Sequence, residues 1–167
     1  MKKWIRQWIP VLGIAFVLNL GIRAYVAEAM SVPTESMLPT IQVHDRVIVE
    51  KMLWLTKLKH GDIVVFRPTV SGEEGKRFVK RLIGLPGDTV EIKNGQLYRN
   101  DQPVEESYIP EPMTYNFGPV TVPERHYFFL GDNRNVSYDA HLWPDPFIPE
   151  ERLVGKVLFE LPTHLLY

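Results

Sequence analysis

A pair of hydroxyls, a lysine beside an arginine and one polar loop are where this 167-residue sequence could do chemistry. Thr34 and Ser36 lie in Val32-Pro33-Thr34-Glu35-Ser36-Met37-Leu38-Pro39-Thr40, where Pro33 and Pro39 stand three residues either side of Ser36. Such prolines hold the backbone extended and keep out regular secondary structure. In an extended chain Thr34 and Ser36 share a side, so their hydroxyls approach one point. The same string also reads as a proline-rich linker. Lys80 and Arg81 are neighbours in a run, residues 78–83, that looks like a strand. There Lys80 points with Phe78 and Leu82, and Arg81 with Val79 and Ile83, so one cation must face an apolar surface. An inward lysine is one way to protect a sheet edge. It is also a desolvated amine, pushed further toward neutrality by Arg81, that can act as a base. Residues 131–141 follow an apolar strand with Gly131, Asp132, Asn133, Asn135, Ser137 and Asp139. Short polar side chains of this kind organise a site by hydrogen bonding, and Arg134 with Asp132 or Asp139 suggests an internally paired loop. Lys59-His60-Gly61-Asp62 reads as a turn feeding a strand.

Other chemistries drop out. The sequence has no cysteine, which removes disulfides, thiolate zinc sites and thiol nucleophiles. His44, His60, His126, His141 and His164 show no metal-ligand spacing, and nothing resembles a phosphate loop or a dinucleotide fingerprint. No cofactor is implied. Residues 1–30 carry a formal charge of +3 and the remainder −4, which argues against a nucleic-acid partner.

The elements that must position these groups read as mainly β. Residues 46–50, 62–66, 78–83, 89–93, 126–130 and 154–160 are short alternating or β-branched runs. Asn94-Gly95 marks a hairpin between TVEIK and QLYRN. Residues 51–58 have the composition of one short helix, and residues 100–123, rich in Pro, Glu, Tyr and Gly, look like an irregular excursion. The expected architecture is a folded-over antiparallel β-sheet domain, residues 28–167, on a single N-terminal transmembrane helix within residues 1–27. Residues 8–22 are free of charge, with Lys2, Lys3 and Arg6 before them and Arg23 after. Trp4, Trp8 and Tyr25 suit the membrane interfaces, and Arg6 and Arg23 would snorkel. The basic flank puts the N-terminus in the cytoplasm and the body on the exported side. A cleavable leader ending at Ala27-Glu28-Ala29 is the competing reading. The body is exported in either case.

In order along the chain, the basic-flanked anchor, PTESMLPTI, GDIVVFRP, KRLIGLPGD and GDNRNVSYD resemble the bacterial type I signal peptidases, membrane-bound serine proteases that remove signal peptides from exported proteins. SYDAHLW is especially similar to the cyanobacterial and thylakoid versions. The resemblance implies Ser36 as nucleophile and Lys80 as general base of a Ser–Lys dyad. It implies Ser137 as the hydroxyl that orients the amine, and Thr34 as an oxyanion donor beside the Ser36 N–H. Asp132, Arg134 and Asp139 become loop-organising residues. Val32, Pro33, Met37, Ile41, Phe78 and Val79 fall on positions that line pockets for small residues before the scissile bond, implying cleavage after Ala-x-Ala. The implied partners are signal peptides and a plasma or thylakoid membrane. Departures are Asp139-Ala140-His141 where some family members end the motif in Asp-Ser-Arg, whose arginine pairs with the aspartate, Pro144-Asp145-Pro146 where a glycine is usual, and Thr34 where serine is common. Ala27-Glu28-Ala29 is itself such a triplet, so self-cleavage is an expectation to examine. The alternatives are a Ser–Lys self-cleaving protease of the SOS-repressor type, which should carry a DNA-binding module, and a non-catalytic membrane-tethered β module.

Overall fold

The β-branched and aromatic runs form strands because alternate side chains can then be buried while the backbone bonds to its neighbours. The computed structural model describes residues 2–162. A helix, α1 (Lys2–Tyr25), leads into β1 (Ala27–Ser31), β2 (Arg46–Glu50), β3 (Ile63–Phe66), β4 (Phe78–Gly84), β5 (Thr89–Lys93) and β6 (Gln96–Arg99). After these come β7 (Gln102–Pro103), β8 (Phe117–Thr121), β9 (His126–Leu130), β10 (Phe147–Pro149) and β11 (Leu153–Leu161). All pairings are antiparallel. Seven strands form one sheet in the order β1-β2-β11-β3-β4-β9-β10, and four form a second in the order β7-β6-β5-β8.

The chain passes between the sheets at Gly84, where a Cβ would lie 2.9 Å from a methyl of Val90 and of Val122. The main core, with Leu82, Phe128, Val90, Ile92 and Leu97, fills the space around this crossing. A smaller core gathers Val32, Met37 and Ile41 against Val47, Val49, Val65 and Val79. It fastens the segment bearing Ser36 to the large sheet.

Asn94 and Gly95 both take positive φ, 52° and 78°, as a two-residue hairpin requires. Residues 100–123 are not one irregular excursion: β7 and β8 complete the second sheet on either side of a long connection. Pro119 obscures β8 in the sequence, but β8 is an edge strand, where a missing N–H is tolerated. The short helix expected at 51–58 does not form. The Lys51 N–H is drawn to the Val26 carbonyl at 2.9 Å, and the Thr56 hydroxyl donates to Glu50 Oε1 at 2.7 Å, so the segment closes into turns.

At the N-terminus α1 forms, but among the described residues no helix is long and apolar enough to cross a membrane. The charge-free run of residues 8–22 rises only about 22 Å as a helix, short of the roughly 30 Å of a hydrocarbon core. The side chains of Trp4, Arg6, Arg23 and Tyr25, read as interfacial anchors, lie outside the described residues, as does His164. The boundary set between residues 27 and 28 falls inside β1. Ala27-Glu28-Ala29 is a strand in register with Glu50, Val49 and Ile48 of β2.

Gly84→Ala should lower the urea midpoint with an unchanged slope, by about 1–3 kcal/mol of stability, because the new methyl has no free volume between two buried valines.

Candidate active site

Ser36 sits in a 3-10 turn, Glu35–Met37, and not on the extended backbone expected from its flanking prolines. Burial of Met37 explains the difference: its side chain, with none of its surface exposed, draws the chain down into the smaller core. The turn is closed by Leu38 N–H to Glu35 O at 3.1 Å, and Ile41 N–H follows to Met37 O at 2.9 Å. The two hydroxyls still meet, with Thr34 Oγ1 and Ser36 Oγ 3.2 Å apart.

Lys80 lies on β4 with 4% of its surface exposed. Loss of hydration pushes its amine down to about 8, against the pull of the Asp139 and Asp132 carboxylates, which favour the charged form. Its Nζ donates to Ser137 Oγ at 2.9 Å and lies 5.8 Å from the centre of the Phe78 ring. Arg81 is not the source of the depression expected from its proximity. Asp132 takes up its charge through two bonds, Nε to Oδ1 at 2.7 Å and Nη2 to Oδ2 at 2.5 Å. Arg81 also donates to the Gly61 carbonyl at 2.8 Å and packs 3.8 Å from the Tyr108 ring centre.

The loop after β9 ties Ser36 and Lys80 together. Asn133 N–H donates to the Ser36 carbonyl and its amide nitrogen to the Glu35 carbonyl, both at 3.2 Å. Gly131 has no room for a side chain, since a Cβ would lie 2.3 Å from both Ser36 O and Ser137 Oγ. Asp139 accepts the Gly131 N–H at 2.8 Å and contacts His141 Nδ1 at 2.7 Å, and that imidazole stacks on Tyr115 with centroids 3.9 Å apart. His141 thus stands against the aspartate at the position where the resemblance places an arginine in some family members.

Arg134 does not pair with Asp132 or Asp139, as the loop's composition suggested. Both are committed elsewhere, and Arg134, wholly buried, donates to Glu106 through Nη1 at 2.6 Å and Nη2 at 2.7 Å. Glu106 comes from the connection between β7 and β8, which also supplies Tyr108, Met113 Sδ to Arg134 and Thr114 to Asn135. These residues were missed because the tract's Pro and Glu content reads as solvated loop. No local signal marked them, because the choice of Glu106 as the partner of Arg134 is made by the fold.

A cavity of about 670 Å³ opens over these groups. Ser36, Thr34, Lys80, Val32, Pro33, Phe78 and Val79 all line it, with Val136 and Tyr138 on the loop side. Met37 and Ile41 lie beneath, in the smaller core, and not on its wall. Hydroxyl, buried amine and apolar cleft are the groups that acyl transfer to a serine requires.

The family described as signal peptidase, peptidase S26, matches residues 4–161. The chain belongs to that family. It is 44% identical over 160 residues to the signal peptidase I of Leptolyngbya laminosa, covering 92% of this chain and 78% of the relative. It is 40% identical over 151 residues to a probable thylakoidal processing peptidase 2 of Arabidopsis thaliana, covering 87% of this chain and 41% of the relative. The crystal structure of a signal peptidase I from Enterococcus faecalis is similar with a TM-score of 0.52 at 35% identity, over 62% of this chain and 98% of that one. The chain is therefore a serine endopeptidase of the S26 family, and its mainly antiparallel β architecture is that of a signal peptidase I.

In this peptidase Glu106→Ala leaves the Arg134 cation buried without its carboxylate and should cost about 3–5 kcal/mol in chemical denaturation. Glu150→Ala, which breaks the exposed pair with Arg125, should cost under about 1 kcal/mol.

Proposed function

We propose that the chain removes signal peptides from exported preproteins, cutting after Ala-x-Ala with Ser36 as nucleophile and Lys80 as general base. The observation that carries this reading is one buried lysine amine, depressed to about 8, on the wall of the same cavity as Ser36. A serine hydroxyl is a poor nucleophile until a neighbouring base takes its proton. In the reaction the Ser36 hydroxyl exchanges its Thr34 partner for the Lys80 amine and attacks the scissile carbonyl. Lys80 carries the proton to the departing amine, and a water deprotonated by the same amine then releases the acyl group. Ser137, bonded to Nζ, holds the amine in place throughout.

Negative charge on the tetrahedral oxygen is met by the Ser36 N–H and Thr34 Oγ1. Asp132, Arg134 and Asp139 hold the loop, each through bonds to groups other than the dyad. Val32, Pro33, Phe78 and Val79 shape pockets that admit only small side chains, while Met37 and Ile41 set the depth of the wall from behind.

The membrane enters the proposal through placement. From Trp8 to Leu20 the side chains of α1 face outward, among them Ile9, Leu12, Phe16 and Val17, each more than 60% exposed. This helix anchors the chain in a plasma or thylakoid bilayer, N-terminus cytoplasmic and the β domain on the exported side. Trp54 and Leu55, 81% and 62% exposed, lie three and four residues beyond Lys51, whose N–H bonds the Val26 carbonyl just past the end of α1. An aromatic and a leucine flanked by lysines suit an interface. Such a site stands where the cleavage region of a signal peptide leaves the bilayer.

Ser36→Ala and Lys80→Met should each abolish processing of an Ala-x-Ala preprotein in detergent, and cutting by either variant overturns the dyad. Only the neutral amine is a base, so kcat/KM should rise about tenfold per pH unit below pH 8 and level off above it. Stability carries the same sign. An unfolded lysine titrates near 10.4, so between about pH 8 and pH 10.4 the unfolded chain binds more protons and wild type gains stability as pH rises. Lys80→Met removes a cost of roughly 3 kcal/mol at pH 7 and should unfold no more easily than wild type there. Thr34→Val should lower kcat by about 10²–10³ if its hydroxyl meets the oxyanion.

A further inference from the structure

The cavity continues past the small pockets, and its far end changes chemistry. β1 is an edge strand, paired only with β2, and the ladder between β4 and β9 starts at Arg81, leaving Phe78, Val79 and Lys80 outside it. An extended peptide therefore has two strand edges to add to, and its side chains will face the cavity floor at every second residue, about 6.6 Å apart.

Along β1 and its continuation the inward positions are Glu28, Met30 and Val32, while Ala29, Ser31 and Pro33 are exposed. On the β4 side Arg77 stands immediately before the strand, lines the same cavity as Val79 and reaches across to Glu28. Val32 and Val79 belong to the same small core, so the floor near Ser36 is apolar. One strand step toward α1 it becomes charged, because Arg77 Nη1 donates to Glu28 Oε1.

We propose that Arg77, steadied by Glu28, forms a subsite for the fifth residue before the scissile bond and favours a carboxylate side chain there over a cationic one. The inference rests on the reading of the cavity as the cleft for the residues before the scissile bond. Floor-facing positions are the first, third and fifth; the first two meet the apolar part, and the next step reaches Arg77. Glu28 also accepts from Lys51 Nζ at 3.2 Å, and Lys76, which lines the cavity, pairs with Glu73 at 2.8 Å. At this end Arg77 and Lys51 both contact the single carboxylate of Glu28, a local surplus of one positive charge, while Glu35 lines the cavity at its Ser36 end. A guanidinium has five N–H donors, and among the described residues one nitrogen of Arg77 is engaged, leaving donors for an incoming carboxylate. Its side chain is 36% exposed, so the preference is modest.

The test uses the full chain in detergent and three preproteins identical except for Glu, Ala or Lys at that fifth residue. Wild type should cleave the Glu substrate about fivefold faster than the Lys substrate by kcat/KM, and the ratio should shrink as salt is raised. Arg77→Ala should bring the ratio near one, and Arg77→Glu should invert it. A ratio of one in wild type, or the same ratio in wild type and Arg77→Glu, overturns the subsite. Charge-blind cleavage that Ser36→Ala abolishes sinks this inference alone. Cleavage that survives Ser36→Ala, or no cleavage of any of the three, sinks the reading beneath it.

Discussion

Withdrawal of water from one amine is the constraint on which the site depends. Lys80 has four per cent of its surface left to solvent, and burial alone drives its proton affinity down. A charged lysine there costs free energy in the folded chain, so the fold carries an unfavourable term at neutral pH that the two cores must offset. The smaller core does so locally. Val79 beside the lysine and Met37 beside the serine are buried in the same cluster, so the packing that stabilises the segment also dries the site.

Desolvation can win only if the surrounding charges do not cancel it. Asp132, Glu106 and Asp139 are buried near the loop, and an unpaired carboxylate at close range would hold the proton on Lys80. Arg81 neutralises Asp132, Arg134 neutralises Glu106, and Asp139 spends its oxygens on the Gly131 N–H and on His141. The residual pull of Asp139 and Asp132 raises the lysine less than burial lowers it. Each arginine is also held by Tyr108, whose ring centre is 3.8 Å from Arg81 and 5.9 Å from Arg134. The polar network around the amine is thus nearly self-contained.

This division explains which features could be read from the sequence. Strands set by alternation, such as RVIVE and TVEIK, were visible because their burial pattern is local. The hydroxyl pair, the lysine and the loop residues were visible because motif spacing is also local. The partner of Arg134 was not, since Glu106 is 28 residues away and the choice among three carboxylates is made by the fold. β8 was hidden by Pro119, because nothing local says that a strand will be an edge. The turn at Ser36 was hidden for a related reason: two prolines argue for an extended chain, but a methionine seeking a core bends it. The apolar run of residues 8–22 is the opposite case: the pattern is local and its helix forms, but the run rises only about 22 Å.

Unpaired strand edges are ordinarily a hazard, since they invite pairing with other chains. Here the free edge of β1 and the free stretch of β4 border one cavity, and neither is long. Pro33 ends the β1 edge before Ser36, and the β9 ladder closes β4 immediately after Lys80. Only a few backbone positions of each edge are left unpaired, between Ser36 and the charged pair at Glu28 and Arg77. A folded protein cannot present such a strand, whereas a flexible segment can. Under the proposed function, the edge that would be a liability elsewhere becomes a length and conformation filter for the substrate segment.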